Sequence, residues 1–371
     1  MRDETMHKVL VGRRTSREGF TLVELLVVIA ILGILAGLLA WGVNAARISI
    51  LKQAQAFEIQ SIASAVEAYR NKYGDYPPDG SSWPVMEAHL RKAFPNILVT
   101  ELALLNPANS AVNGYVRNDN DLTGSHPLGG RVFDPAEALV FFLGGFSNDP
   151  QRPISGPGGP LRQSGSGYIY NTQRENAFFE FKLSRLTLNA NGVSTDETSF
   201  GEGVNNDLMP VYIGTGPAVS VGRPIVYFDS RTYQIPSRDP LNPYFNFFTP
   251  GSTADSANFN CARPFLSNEI NTTTAARTYR YANNRTFQLL NAGYDNIYGC
   301  RPVKDWVANP NNRVLLISPG GNFSAYSPGV GFVENTLPNG IRYYLPEFGR
   351  ERPVDDNTSN FIDGPTFGQS S

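Results

Sequence analysis

The sequence predicts an α+β protein: a long N-terminal membrane-spanning helix packed against a C-terminal globular domain that holds an antiparallel sheet. Three observations predict it. An apolar run from Phe20 to Val43 carries a single charge, Glu24. Beyond it, apolar residues recur at helical spacing as far as Tyr73. From Gly74 onward, short β-branched and aromatic runs alternate with polar stretches rich in Gly and Pro. The chain has 371 residues, 41% hydrophobic and 17% charged, a composition that folds rather than stays disordered.

Residues 1–19 read as a basic leader, with Arg2, Lys8, Arg13, Arg14 and Arg17 against Asp3, Glu4 and Glu18. Residues 20–43 read as a transmembrane helix: they contain no Pro, and at about 1.5 Å per residue they span a hydrocarbon core of about 30 Å. The basic flank predicts a single pass with the N-terminus in the cytoplasm and the rest across the membrane. Residues 44–73 read as an amphipathic continuation. Ile48, Leu51, Gln55, Ile59, Ile62, Val66, Tyr69 and Tyr73 form one stripe, with Gln55 as its polar interruption. Gly74 suits the position after a helix end, and Tyr76-Pro77-Pro78 forbids continuation. One helix of about 80 Å would result. Gly33-x-x-x-Gly37 would allow another helix to approach closely.

Glu24 is the anomaly. A carboxylate inside a spanning helix costs about 2.5–3.5 kcal/mol at its centre and less near an end. A cleaved secretory signal does not fit, because the run is too long and lacks a small-residue cleavage site. A plain signal anchor fits the length and the flank but gives Glu24 no role. The stretch Gly19-Phe20-Thr21-Leu22-Val23-Glu24 resembles the processing site of type IV prepilins and pseudopilins: a basic leader ending in Gly, then Phe, then Glu as the fifth residue after the cut, then an apolar helix. The resemblance implies that a membrane-embedded prepilin peptidase cuts between Gly19 and Phe20 and methylates the new Phe20 amine. It also implies that Glu24 meets the Phe20 ammonium of a neighbouring subunit. A carboxylate paired with a cation in low dielectric costs far less than a lone one. Many members of that family carry a Pro within the apolar run; this chain does not.

Residues 74–371 read as one extracytoplasmic domain of mixed α and β with a loose tail over 355–371. The clearest helix signal is Asp134 to Gly144, with Asp134 as N-cap, Pro135 at the first helical position and Glu137 completing a capping box. A second helix is predicted over Trp83–Ala93. Strands are predicted over 177–188, 210–213, 224–228, 278–282, 286–290, 313–317 and 341–345, with 147–167 and 189–206 as loops. The domain is large for a pilin, which points to a minor or specialised subunit.

Two later stretches carry the same resemblance. Thr286 to Gly299 is similar to a strand–turn segment found late in major pseudopilins of type II secretion, and Asp239-Pro240-Leu241-Asn242-Pro243-Tyr244 resembles the segment that precedes their sheet. In those proteins a nearby acidic loop binds calcium, which needs several converging oxygen ligands. Here Cys300-Arg301-Pro302-Val303-Lys304-Asp305 follows instead. Asp295 and Asn296 therefore read as turn residues, with a calcium site as the minor alternative; no other cofactor is expected. Cys261 and Cys300 lie on the extracytoplasmic side and are a candidate disulfide, worth roughly 4 kcal/mol on the chain-entropy view; two free thiols is the alternative.

Net charge is −2, so nothing points to a nucleic-acid partner. Beyond the leader only His89 and His126 remain, neither at metal-ligand spacing, and no nucleophile elbow, zinc-protease or P-loop pattern occurs. No enzyme is expected. The resemblance implies a structural subunit of a filament or secretion pseudopilus, with prepilin peptidase, other pilin or pseudopilin subunits and inner-membrane lipid as partners. The competing expectation is an extracytoplasmic binding or hydrolytic domain on an uncleaved anchor.

Overall fold

The computed structural model describes residues 21–106, 132–165, 167–191, 194–195, 209–216, 222–235, 244–245, 248, 262, 264, 266–271, 278–293, 296, 298, 314–317, 323–327, 331–334 and 358–360. The architecture is an N-terminal apolar helix followed by a mixed α/β region with small antiparallel sheets. The chain divides into two units, Met1–Ser49 and Ile50–Ser371.

Helix α1 covers Leu22–Tyr73. Its Leu22–Leu39 window has a mean hydropathy of 2.9 and is long and apolar enough to cross a membrane. Leu25, Leu32 and Leu38 are among its exposed side chains. The end of α1 follows from local chemistry. Gly74 takes φ +83°, and its N–H donates to the Arg70 carbonyl at 2.7 Å, closing the last turn in a left-handed conformation that glycine adopts without strain.

In the second unit the inner face of α1 forms the spine of the main core. Ile59, Ile62, Val66 and Tyr69 are fully buried. They join a cluster with Met86 and Leu90 of α2 (Trp83–Ala93), Leu102 of α3 (Val99–Ala103) and the whole apolar run of α4 (Glu137–Leu143). Tyr69, Tyr73, Phe94, Phe142, Phe146 and Phe178 pack ring to ring in tilted and edge-on arrangements, the preferred geometry for aromatic quadrupoles.

Helix α4 is built as its sequence predicts. The Asp134 carboxylate accepts from the N–H groups of Ala136 and Glu137 at 2.7 and 2.8 Å, and Glu137 Oε2 accepts from Asp134 N at 2.7 Å. The first helical bond runs from Ala138 N to Asp134 O, so Asp134 is the cap. At the other end the Arg174 guanidinium donates to the carbonyls of Val140, Phe141 and Gly145. A cation on the last carbonyls of a buried helix satisfies both their bonding and the helix dipole. Gly145 has φ +96°, and a Cβ there would lie 2.0 Å from the Glu175 carbonyl oxygen, so only glycine fits this turn.

The central sheet has the order β12-β8-β3: β3 (Val226–Asp229) and β12 (Thr358–Ser359) flank β8 (Phe287–Asn291), all antiparallel. Side chains alternate across it as a strand requires. Tyr227, Phe287 and Leu289 enter the main core, while Val226, Phe228 and Leu290 enter a second cluster with Val211, Ile213, Tyr233 and Tyr298. The remaining pairs are β1 (Leu161–Ser164) with β2 (Gly167–Tyr170), β4 (Gln234–Ile235) with β5 (Tyr244–Phe245), and β6 (Leu266–Asn271) with β7 (Thr278–Tyr281). A three-stranded meander joins β9 (Val314–Ile317), β10 (Phe323–Ser327) and β11 (Gly331–Glu334).

Several expectations differ from the structure. Instead of a strand, 177–188 holds a 3₁₀ turn at Leu183–Arg185 and isolated bridges at Leu186 and Leu188. The N–H groups of Phe178 and Phe179 are both drawn to the Leu143 carbonyl, so the segment wraps the end of α4 rather than pairing. The stretch 210–213 likewise makes only bridges, Tyr212 to Leu186 and Ile213 to Pro224. The hairpin β1–β2 lies in a region expected to be mostly loop. The tail over 355–371 is not loose throughout. Thr358 and Ser359 pair with β8, and the Asn360 amide extends that pairing, with Oδ1 accepting from Leu289 N at 2.8 Å and Nδ2 donating to Phe287 O at 3.3 Å. The strand expected over 341–345 lies outside the described residues.

Asp134→Ala removes the α4 cap and is expected to cost about 1–2 kcal/mol. A lower urea midpoint with an unchanged slope would show it; an unchanged midpoint would show that the cap is dispensable.

Candidate processing and assembly segment

Gly19 and Phe20 lie outside the described residues, so the structural account begins at Thr21. Thr21 and Glu24 form a reciprocal capping box at the start of α1. Thr21 N and Thr21 Oγ1 both donate to Glu24 Oε2, at 2.9 and 2.8 Å, and Glu24 N donates to Thr21 Oγ1 at 3.3 Å. The helical ladder then starts with Leu25 N to Thr21 O at 3.2 Å. The first turn of a helix has free N–H groups and the positive end of its dipole, so it is the least costly place on the helix for a carboxylate. The spacing Thr-x-x-Glu was a readable capping signal at this position, as it was at Asp134.

The second half of α1 is held to its domain by polar as well as apolar contacts. Gln55, the interruption in the apolar stripe, is 1% exposed, and its Nε2 donates to the Thr215 carbonyl at 2.9 Å. One turn on, Glu58 Oε1 accepts from Tyr212 Oη at 2.8 Å and Oε2 from Thr215 N at 2.6 Å. The 212–215 segment is therefore fastened to α1 by two side chains one helical turn apart.

Near the end of α1, Tyr69 Oη and His89 Nε2 are 2.7 Å apart inside the core. The connection after Gly74 carries Asp79, whose Oδ1 accepts from Ser81 N and Oγ, and whose Oδ2 accepts from Asp229 N and Thr232 Oγ1. Asp229 in turn pairs with Arg231 at 2.6 Å, and Arg231 donates to the Tyr76 carbonyl at 2.7 Å. Two buried carboxylates thus lock the chain leaving α1 to the turn after β3. Asp79 and Asp229 are far apart in sequence, and no local pattern marks them as partners.

Of the other residues singled out by sequence, Cys261, Cys300, Asp295 and His126 lie outside the described residues. Asn296 is half-buried with φ +61°, a left-handed conformation that Asn tolerates in turns. Among the described residues, no three His, Cys, Asp or Glu side chains come together to hold a metal ion.

Residues 14–40 match a family model described as the prokaryotic N-terminal methylation motif. No curated protein and no solved structure matches the chain. The N-terminal segment is thus of the prepilin type found in type IV pilin-like proteins, and with its apolar helix it fits a membrane-anchored, single-pass chain.

The joint after α1 is sensitive to pH in two opposed ways. Burial pushes His89 down from its ordinary 6.5 to about 3. The unfolded chain then binds the extra proton, so this contribution to stability falls as pH drops from about 6.5 towards 3. Burial pushes Asp229 up from 3.8 to about 7, against the pull of Arg231. Here the folded chain binds the extra proton, so this contribution falls as pH rises from about 4 to 7. Thermal unfolding between pH 4 and pH 8 should show a steeper loss of stability with rising pH in His89→Phe and a shallower one in Asp229→Asn. Profiles parallel to the wild type in both variants would contradict this assignment.

Proposed function

We propose that this chain is a structural subunit of a type IV pilus-like filament or of a type II secretion pseudopilus. One observation carries the reading: Gly19-Phe20 and Glu24 stand in prepilin spacing at the head of an apolar helix, within the stretch that matches the methylation motif. Prepilin peptidase hydrolyses the Gly19–Phe20 peptide bond and releases the leader. The freed Phe20 amine is then methylated. The precursor sits in the inner membrane with its leader in the cytoplasm and residues 44–371 on the far side.

Assembly follows from the charges. The Phe20 amine is a cation once freed, and each subunit brings one such cation and one Glu24 carboxylate into an apolar bundle. Pairing Glu24 with the Phe20 ammonium of a neighbour neutralises both, and only one axial offset between helices achieves it. Thr21 already donates to Glu24 Oε2 through its N–H and its hydroxyl. The chain itself catalyses no reaction; it is the substrate of the peptidase.

Mass spectrometry of the mature N-terminus tests the processing step, with N-methylated Phe20 as the expected first residue. An intact Met1 would instead indicate an uncleaved anchor bearing a binding or hydrolytic domain. Glu24→Ala is expected to keep cleavage after Gly19 and to lose assembled filaments. Filaments at wild-type yield from that variant would remove Glu24 from the assembly contact.

A further inference from the structure

The central sheet closes its two edges in different ways. On the β3 side, Tyr227 N donates to the Pro135 carbonyl and Asp229 N to Asp79 Oδ2, both at 3.0 Å. Pro135 and Asp79 are buried, so these stoppers belong to the core. On the other side, β8 is covered by residues 358–360 of the C-terminal stretch. Strand β12 supplies two residues of that cover. The Asn360 amide supplies the rest, with Oδ1 accepting from Leu289 N at 2.8 Å and Nδ2 making a longer bond, 3.3 Å, to Phe287 O. Asn360 is only half-buried. Two strand residues and one side-chain amide are a weak hold.

The segment under this cover is a strong strand former. Thr286–Ala292 reads Thr-Phe-Gln-Leu-Leu-Asn-Ala, seven residues with no charge, Pro or Gly. A segment of that kind with a free edge pairs with other strands. Edges are ordinarily blunted by a charge, a Pro, a bulge or a cover. Strand β8 has no charge and no Pro, and its ladder with β3 runs from Val226↔Leu290 to Asp229↔Phe287 without a bulge. The cover is the device that remains.

We propose that residues 358–360 are a displaceable strap over a strand-pairing edge, and that the bared edge pairs with the β8 edge of a second copy. The inference does not depend on the assembly reading above. Geometry selects the partner. Successive residues of a strand turn their N–H and C=O groups to opposite neighbours. Leu289 N and Phe287 O reach Asn360, so Phe287, Leu289 and Asn291 bond outward, while Gln288 and Leu290 face β3. Two such edges can lie antiparallel about a two-fold axis at Leu289. Leu289 then faces its own counterpart, and Phe287 faces Asn291 of the other copy. Outward residues meet only outward residues, so the bared N–H and C=O groups satisfy one another and no charges are opposed. A two-fold contact of this kind closes both edges at once.

The test uses the full-length chain in detergent. The Leu289 amide should exchange with deuterium roughly tenfold faster than that of Leu290, because the strap opens without the sheet. Asn360→Ala should speed Leu289 roughly tenfold more, as loss of a pair of hydrogen bonds does, and leave Leu290 as it was. Equal rates at Leu289 and Leu290 in the wild type, or an unchanged Leu289 in the variant, would overturn the strap. Pairing is read by sedimentation. A chain ending at Asn357 should shift to twice the mass of the full-length chain at the same concentration. Excess synthetic peptide Asn-Thr-Ser-Asn-Phe, the sequence of residues 357–361, should return it to single copies, and a scrambled peptide should not. A shortened chain that stays single, or a dimer that the peptide leaves intact, would overturn pairing through β8.

Discussion

Burial of one face of α1 is the constraint on which the rest of the second unit depends. Ile59, Ile62, Val66 and Tyr69 lie at helical intervals and are fully excluded from water. Burying four such side chains contributes several kcal/mol by transfer alone, at about 1.5–3 kcal/mol each. Every other element of the main core packs on that line or on what covers it: α2 through Met86 and Leu90, α4 through its apolar run, the central sheet through Tyr227 and Phe287. The polar contacts then remove the helix's freedom to slide or rotate. Gln55 and Glu58 grip the 212–215 segment from one turn of α1, and Asp79 and Arg231 bind the chain leaving α1 to the turn after β3. Apolar burial supplies most of the attraction, and the directional bonds choose one register.

What could be read in advance divides along physical lines. Features set by neighbours in sequence were legible. The cap of α4 is built from Asp134 and Glu137 as their spacing requires, Gly74 takes the left-handed φ its position calls for, and α2 matches the expected range. Strands with a clear β-branched or aromatic run, such as β3, β7, β8 and β9, were also readable. What failed depended on a distant partner. The aromatic run at 177–188 has strong β propensity, but its N–H groups meet the Leu143 carbonyl first. Strand β12 is two residues long and has no pattern of its own; it exists because β8 offers an edge and the Asn360 amide mimics one more pair. Propensity describes a segment, whereas pairing describes a place in space.

The candidate site shows the same division. Gly19, Phe20 and Glu24 were singled out by their resemblance to the prepilin processing site, and the methylation motif covers them. The role of Thr21 was missed although its signal, a hydroxyl three residues before a carboxylate, is local and readable. Gln55 was noted only as a break in an apolar stripe. Its bond to the Thr215 carbonyl turns that break into an anchor, and residue 215 is too remote in sequence for any local pattern to have named it.

The capping box also changes how the carboxylate in the apolar run is understood. A lone Glu24 in lipid would need a partner from another chain at every moment of its life. With Thr21 donating through both its backbone N–H and its hydroxyl, and with the free N–H groups of the first turn around it, much of the cost is met within the chain. Under the proposed function, a single subunit could then reside in the membrane before assembly. In the proposed assembly, a neighbour's ammonium need only offset what remains. That is a smaller stabilisation than rescue of a bare charge, and for that reason a more selective one: a contact of modest strength rewards correct register without trapping helices that meet out of step. Under this view Thr21 and Glu24 act as one unit. Thr21 meets part of the cost of the charge within the single chain, and in the proposed assembly Glu24 offers it to a neighbour.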